Sequence, residues 1–209
     1  AIIAGESGTG KELVARGIHE ISAARHEPFV AINCAAVPHE LFENEFFGHV
    51  EGAFTGASSA RTGAMARADG GTLFLDEVAE LTPENQAKLL RAIESRSFCP
   101  IGADEERTVS FRVVAATNQG LEPPRLREDL YHRLFGVLIE TPPLRAHPSD
   151  IPELAQYFLD AVVSSVRGRR VHLSDDALEF LSQSPWPGNA RELRERNFMK
   201  IVSLASEVI

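Results

Sequence analysis

The sequence predicts an α/β domain, a parallel sheet covered by helices on both faces, followed by a small all-helical domain. Three observations predict it. Short strands, each nearly all apolar, alternate with helices as far as about residue 142, as strands buried on both faces do. After Pro142-Pro143 the helical periodicity continues but no strand pattern returns. The 209 residues, 44% apolar and 24% charged, are enough to bury a core without disulfide staples.

Each element has its own reason. Ala1–Ala4 is a short apolar strand entering a glycine-rich turn. Lys11–Ile21 reads as a helix because Leu13, Val14, Ile18 and Ile21 fall at helical spacing. Phe29–Asn33 (FVAIN) is a second strand, and Pro38 opens a helix carrying Leu41, Phe42 and Phe46. Gly48–Thr62, rich in Gly, Ala, Ser and Thr, is a loop. Thr72–Leu75 is a buried strand running into Asp76-Glu77. Thr82 as N-cap and Pro83 behind it start a helix to Ser95. Ser97–Phe111 is a hairpin around the acidic turn Ala103–Glu106, Arg112–Thr117 a further buried strand, Leu126–Phe135 a helix and Val137–Glu140 the last strand. Asp150–Ser165, Ser174–Ser184 and Asn189–Ser206 are helical, the last two separated by Pro185-Trp186-Pro187-Gly188. The α/β domain is therefore expected over 1–142 and the helical domain over 143–209, with Trp186, Phe158, Phe180 and Leu181 in the latter's core.

Composition narrows the function classes. The formal net charge is −9, and a DNA-reading surface needs clustered cations, so this stretch by itself is not expected to read DNA. Cys34 and Cys99 have no paired spacing and form no zinc-like cluster with the seven histidines, which points to free thiols in a reducing cytoplasm. No apolar run approaches membrane-spanning length. The abrupt start in AIIAGESG suggests a piece of a longer protein.

Gly5-Glu6-Ser7-Gly8-Thr9-Gly10-Lys11 matches G-x-x-x-x-G-K between a strand and a helix, the context in which backbone N–H groups and a helix N-terminus cradle phosphates and the lysine reaches the β/γ-phosphates. The next residue is Glu12, not the usual Ser or Thr that touches magnesium. An apolar strand ending in Asp76-Glu77 supplies one carboxylate for Mg²⁺ and one for an attacking water. Asn118 ends another buried strand, where a polar side chain would sit beside the γ-phosphate. Arg127 and Arg133, six residues apart, flank Glu128–His132; local sequence favours a surface ion pair with Glu128 or Asp129, while an arginine reaching across a subunit boundary is the alternative. Asn189 reads as an N-cap, with Arg191 in the helix's first turn, where it opposes the dipole and invites a role at the nucleotide. In GHVEGAFTGAS the large apolar Phe54 stands between Gly52 and Gly56 in a loop, an arrangement that neither a core strand nor an ordinary turn explains. Cys34 is expected to pack as a small apolar residue, Arg167–Arg170 to be a solvated helix end, and His26, His39, His132, His147 and His172 to be surface or capping residues.

The motifs GESGTGKE, FVAINCAA, FGHVEGAFTGA, GGTLFLDEV, AATN, REDLYHRL and WPGNARELR occur in that order, and over nearly its whole length the chain resembles bacterial enhancer-binding proteins. These are NtrC-like AAA+ ATPases that activate RNA polymerase carrying sigma-54. The resemblance implies a P-loop AAA+ fold, a parallel sheet flanked by helices with a small helical lid, working with ATP and Mg²⁺ as a hexameric ring. It implies nucleotide contacts from Gly5, Glu6, Ser7, Gly8, Thr9, Gly10, Lys11, Glu12 and Arg191. It implies a metal-holding Asp76, a catalytic Glu77 switched by Asn33, Asn118 as first sensor, Arg191 as second, and Arg127 and Arg133 acting in trans. The loop Gly52, Ala53, Phe54, Thr55, Gly56 and Ala57 would contact sigma-54, with Phe54 and Thr55 at its tip, and Ser97–Phe111 would be the second pore-side loop. In this family Glu12 is the normal residue after the lysine. The family's ATPase domain begins upstream of the first strand, so 1–142 is expected to be truncated at its N-terminal end. DNA would be bound only through a C-terminal domain missing here. Gln119–Leu130 is a few residues shorter than usual.

Two other readings stand beside this one. A non-hydrolysing P-loop regulatory or interaction module is disfavoured by the intact Lys11, Asp76, Glu77 and arginines. An unrelated AAA+ remodeller, such as a protease or helicase-loading subunit, is disfavoured by the GAFTGA stretch.

Overall fold

The computed structural model describes residues 1–118, 125–166 and 172–196. The 119–124 part of the short segment, the Arg167–Arg170 run and the 197–206 part of the last expected helix lie outside them. The chain divides into two compact units. One comprises Ala1–Ala4 and Lys11–Glu140; the other comprises Gly5–Gly10 and Thr141–Ile209.

In the first unit the elements run β1 (Ile2–Ala4), α1 (Lys11–Glu20), β2 (Phe29–Asn33), α2 (Phe42–Phe46), β3 (Gly48–His49), β4 (Arg61–Thr62), α3 (Ala64–Arg67), β5 (Thr72–Asp76), α4 (Pro83–Ser95), β6 (Ser97–Phe98), β7 (Arg107–Thr108), β8 (Arg112–Thr117), α5 (Glu128–Leu134) and β9 (Leu138–Glu140). Five strands form one parallel sheet in the order β2-β5-β8-β1-β9. Alternation along the strands explains why they are apolar throughout. Leu73 and Leu75 of β5, Ile2 of β1 and Ala115 of β8 enter one core with Leu89 and Leu90 of α4 and Phe42 and Phe46 of α2. Phe74, Ile3, Val114 and Ala116 point the other way, into a second core with Ala15, Val14 and Ile18 of α1. Each strand feeds two apolar layers, so polar residues are confined to its ends.

Two sequence expectations change here. Leu13 and Ile21 do not face the sheet; they are 73% and 87% exposed. The buried face of α1 is Lys11, Ala15 and His19 with Val14 and Ile18 beside it, and Leu13 lies on the side turned away. The Gly48–Thr62 stretch is not loop throughout, since its ends pair as the antiparallel β3–β4 ladder. The hairpin expected around residues 103–106 is present, with β6 paired to β7. Thr82 caps α4, its hydroxyl accepting Asn85 N–H, with Pro83 in the first turn.

The second unit holds α6 (Ile151–Val166), α7 (Asp175–Gln183) and a further helix over 189–196. Its core is Leu144, Ile151, Ala155, Leu181, Trp186 and Leu193, with Phe158 partly buried against it. Trp186 is buried as expected, and its indole N–H donates to Leu181 O at 2.7 Å. Phe180 is 60% exposed instead. Adjacent helix positions point about 100° apart, so Phe180 turns outward when Leu181 takes the inward place. No helix among the described residues is long and apolar enough to cross a membrane.

Candidate functional site

The sheet's parallel order collects the ends of β2, β5 and β8 at one rim, and that rim carries the acidic groups. Lys11 opens α1 and is 6% exposed. Its Nζ stands 3.5 Å from Glu77 Oε1, in an ion pair with little solvent around either partner. The other oxygen of Glu77 accepts the backbone N–H of Asn118, at the end of β8, at 2.9 Å. Glu77 itself sits in the left-handed backbone region, φ 53°, an uncommon place for a residue with a β-carbon. That conformation follows β5 with an abrupt turn, and Glu77 N–H donates to Asp76 Oδ1 at 3.1 Å. Burial first, and then the neighbouring Glu77 carboxylate, push Asp76 above the usual carboxylate range, while Lys11 pulls it down. A crowded carboxylate of this kind is relieved by a cation. Among the described residues no three or more His, Cys, Asp or Glu side chains gather to hold a metal alone. The donor set therefore fits Mg²⁺ as one carboxylate oxygen completed by water and phosphate oxygens, as that ion prefers.

Asn33 ends β2 in register with Asp76, beside Glu77 in sequence. Its side-chain oxygen accepts Ala35 N–H at 3.0 Å, capping a short helical turn. The following Cys34 is buried, and burial, with the field of Asp76 and Glu77, pushes its thiol up to about 12. It packs as a neutral apolar group, as the sequence suggests.

Glu12 pairs with Arg16, one turn on, at 2.8 Å, and its charge adds to the field that raises Asp76. Arg127 precedes α5 and closes on Asp129, Nε to Oδ1 at 3.0 Å and Nη2 to Oδ2 at 2.6 Å. This is the local ion pair that the neighbouring residues favour. Arg133 lies in the last turn of α5, its Nη2 3.4 Å from Ile93 O. Sequence reasoning missed Gln86, which is fully buried in α4. It donates to Leu81 O and Arg125 O and accepts Arg127 N–H at 2.8 Å, so it fixes where α5 begins. The available signal was a glutamine on the apolar side of an amphipathic helix.

The Gly48–Ser58 loop hangs on β3–β4. Gly52 N–H donates to Ala57 O, and Ala57 N–H to Phe54 O, closing the tip. Ala57 is buried, while Gly52, Phe54, Thr55 and Gly56 are exposed and Ala53 is half-buried. Phe54, 47% exposed, sets its ring edge-on to His49 with centroids 5.0 Å apart. His49 spans the loop's two ends, through Asn44 Oδ1 at 2.6 Å and Ser59 O at 3.0 Å. The β6–β7 hairpin supports the same base: Val50 N–H donates to Ile101 O, and Ile101 N–H to Gly48 O.

In the second unit, Gly5–Gly10 packs with the helices. Arg145 clasps Glu6 with both terminal nitrogens, at 2.7 and 2.5 Å. Arg191 donates to Ser7 Oγ at 3.1 Å, and Thr9 and Thr141 share a hydroxyl–hydroxyl bond of 2.8 Å. Asn189 is not an N-cap. It is fully buried with φ 53°, and its amide reaches out of its own helix to Leu144 N–H, Ser7 O and Glu6 Oε2. It is Glu192 that caps this end, accepting Gly188 N–H at 2.8 Å.

A five-stranded parallel sheet with its acidic strand ends, a glycine-rich phosphate loop before α1, and a helical lid define an AAA+ protein. Within that class, the chain belongs to the Sigma-54 interaction domain family, which matches residues 1–140, and an AAA+ ATPase lid domain matches 145–208. Among its relatives, the Nif-specific regulatory protein of Azotobacter vinelandii is 49% identical over 196 residues, covering 92% of this chain and 37% of that protein. The transcriptional regulatory protein ZraR of Klebsiella oxytoca is 45% identical over 212 residues, covering 100% and 48%. The solved structure of NtrX from Brucella abortus in complex with ATP superposes with a TM-score of 0.85 at 37% identity, covering 94% of this chain and 45% of that one. The chain thus spans less than half the length of these relatives.

Proposed function

We propose that this chain is the ATP-hydrolysing activator domain of a sigma-54-dependent transcriptional regulator, cytoplasmic and assembled as a ring, expected to be a hexamer. The observation that carries the reading is Glu77, held in a left-handed turn between the Lys11 ammonium and the Asn118 N–H. A carboxylate so fixed at a strand end can orient a water and accept its proton as the water attacks the γ-phosphorus and the β-phosphate oxygen leaves. Lys11 neutralises charge on the β/γ-phosphates. Asp76 would hold Mg²⁺, which when bound neutralises phosphate charge. Gly5–Gly10 offers backbone N–H groups to the phosphates, with Arg191 as a sensor. Arg127 and Arg133 act on a neighbouring protomer's nucleotide; for Arg127 that requires leaving Asp129. Asn33, whose Oδ1 accepts Ala35 N–H, turns its Nδ2 to donate to Glu77 in another nucleotide state. The relative solved with ATP supports nucleotide binding here.

The output is the Gly48–Ser58 loop, whose exposed Phe54 and Thr55 grip sigma-54 and remodel the closed promoter complex. DNA is bound by another part of the longer protein. The test is phosphate release and open-complex formation on the assembled full-length protein. Glu77→Ala is expected to stop release while ATP still binds, and Phe54→Ala to stop open-complex formation while release continues. Unchanged open-complex formation with Phe54→Ala would overturn the loop assignment.

A further inference from the structure

The phosphate loop carries an acid where it is electrostatically adverse. A triphosphate bound at Gly5–Gly10 would bring several negative charges to a loop that already holds Glu6. Backbone cradling of phosphate needs N–H groups and glycines at this loop, not a carboxylate. Glu6 is explained by what it touches within its own unit. Both terminal nitrogens of Arg145 and the amide of Asn189 converge on it, at 2.5, 2.7 and 3.2 Å. The first of these, then the second, hold its carboxyl down at about 2, so it is ionised at any working pH. Asn189 has no solvent exposure and spends all its capacity on the connection: Oδ1 accepts Leu144 N–H at 2.8 Å, and Nδ2 serves Ser7 O at 3.0 Å as well as Glu6. Its left-handed backbone is the strain accepted to aim that amide.

We infer that Glu6, Arg145 and Asn189 are positioning residues that fasten the phosphate loop to the helical lid, so that the loop's competence for nucleotide depends on lid side chains. The inference rests on the reading of Gly5–Gly10 as the triphosphate site. Arg145 plays two parts in it. It cancels the charge of Glu6, and its fork fixes the carboxylate's orientation. Through the carboxylate and the Ser7 carbonyl, Asn189 sets the path of the chain just before Gly8.

The sign of one measurement decides it. ATP affinity is read by titration calorimetry on the full-length protein with Mg²⁺, and thermal melts without nucleotide serve as the folding control. If Glu6 were idle, Glu6→Gln would remove a repulsive charge and tighten ATP. If it positions the loop, ATP weakens by about two- to fivefold, the scale of a partly exposed ion pair. Arg145→Gln is expected to weaken ATP to a similar extent. The double variant should be no weaker than the worse single one, because both remove the same contact. Tighter ATP with Glu6→Gln, or additive losses in the double variant, overturns the inference. Lys11→Ala separates this from failure of the underlying reading. If Lys11→Ala loses ATP while Glu6→Gln does not, only the fastening is wrong. If neither loses it, the loop is not the nucleotide site.

Discussion

The loops Gly5–Gly10 and Gly48–Ser58 are both glycine-rich, and they use glycine for opposite reasons. In the first, a β-carbon on Gly8 would lie 2.3 Å from Gly188 O and 3.0 Å from Arg191 Cβ, and φ is +80°. The loop is packed tight and tied by side chains: Glu6, Ser7 and Thr9 each meet a residue of the helical unit. In the second, Gly52 and Gly56 have φ of +81° and +102° with nothing within 4 Å of an added β-carbon. Its tip is closed by backbone bonds, and Phe54, half exposed, sets its ring edge-on to His49. One loop is fixed by its surroundings; the other is shaped by its own backbone and left open at the tip. That division suits the roles proposed for them, holding phosphates in one geometry and meeting a partner.

The largest expected effect on the fold and on nucleotide binding comes from filling the tight loop. Gly8→Ala meets backbone, which cannot swing aside, and also pays for its positive φ; such strain costs about 1–3 kcal/mol. ATP binding should fall at least as far as with Lys11→Ala, and the melting temperature should drop. A Gly8→Ala protein that binds ATP normally would break the comparison on the first side. Next is Glu77→Ala, for which phosphate release should fall by about 10²–10⁴, the range of a general base, with ATP affinity retained.

Much of this site was legible beforehand. Lys11, Asp76, Glu77 and Asn118 sit at strand and helix ends, where apolar runs stop abruptly and motif spacing places them. The oddity of Phe54 was visible because a large apolar residue between glycines has no structural excuse. The lid ties were not legible. Arg145 and Glu6 are 139 positions apart, and no local pattern joins them. Asn189 misled because an asparagine ahead of a helix is the usual mark of an N-cap, whereas a left-handed backbone aims its amide elsewhere. Leu13, Ile21 and Phe180 misled for another reason. Apolar residues at helical spacing can satisfy the period while a neighbouring set, here Ala15 and Leu181, fills the core.

Of middling size is Phe54→Ala. Truncating a side chain already 47% exposed should cost the fold little, within about 1 kcal/mol. Sigma-54-dependent open-complex formation should nonetheless disappear, with ATP turnover within about twofold of the unsubstituted protein. A loss of stability well beyond that bound would mean that Phe54 packs as core and that the second loop is not open.

The smallest effect sharpens the contrast most. Gly52→Ala introduces a methyl group into empty space, so its whole cost is the left-handed backbone, about 1–2 kcal/mol. For a chain of this size that is a fall of roughly 2–8 °C in melting temperature. Asparagine tolerates left-handed geometry better than other residues with a β-carbon, so Gly52→Asn should recover much of the loss. The same substitution at Gly8 should recover little, because there the Gly188 carbonyl obstructs any β-carbon, whatever the residue's torsional preference. Melts of the four variants, Ala and Asn at each position, separate steric from torsional demand. If asparagine rescues position 8 as well as position 52, the two loops use glycine in the same way, and the tightness of the phosphate loop is not what its glycine serves.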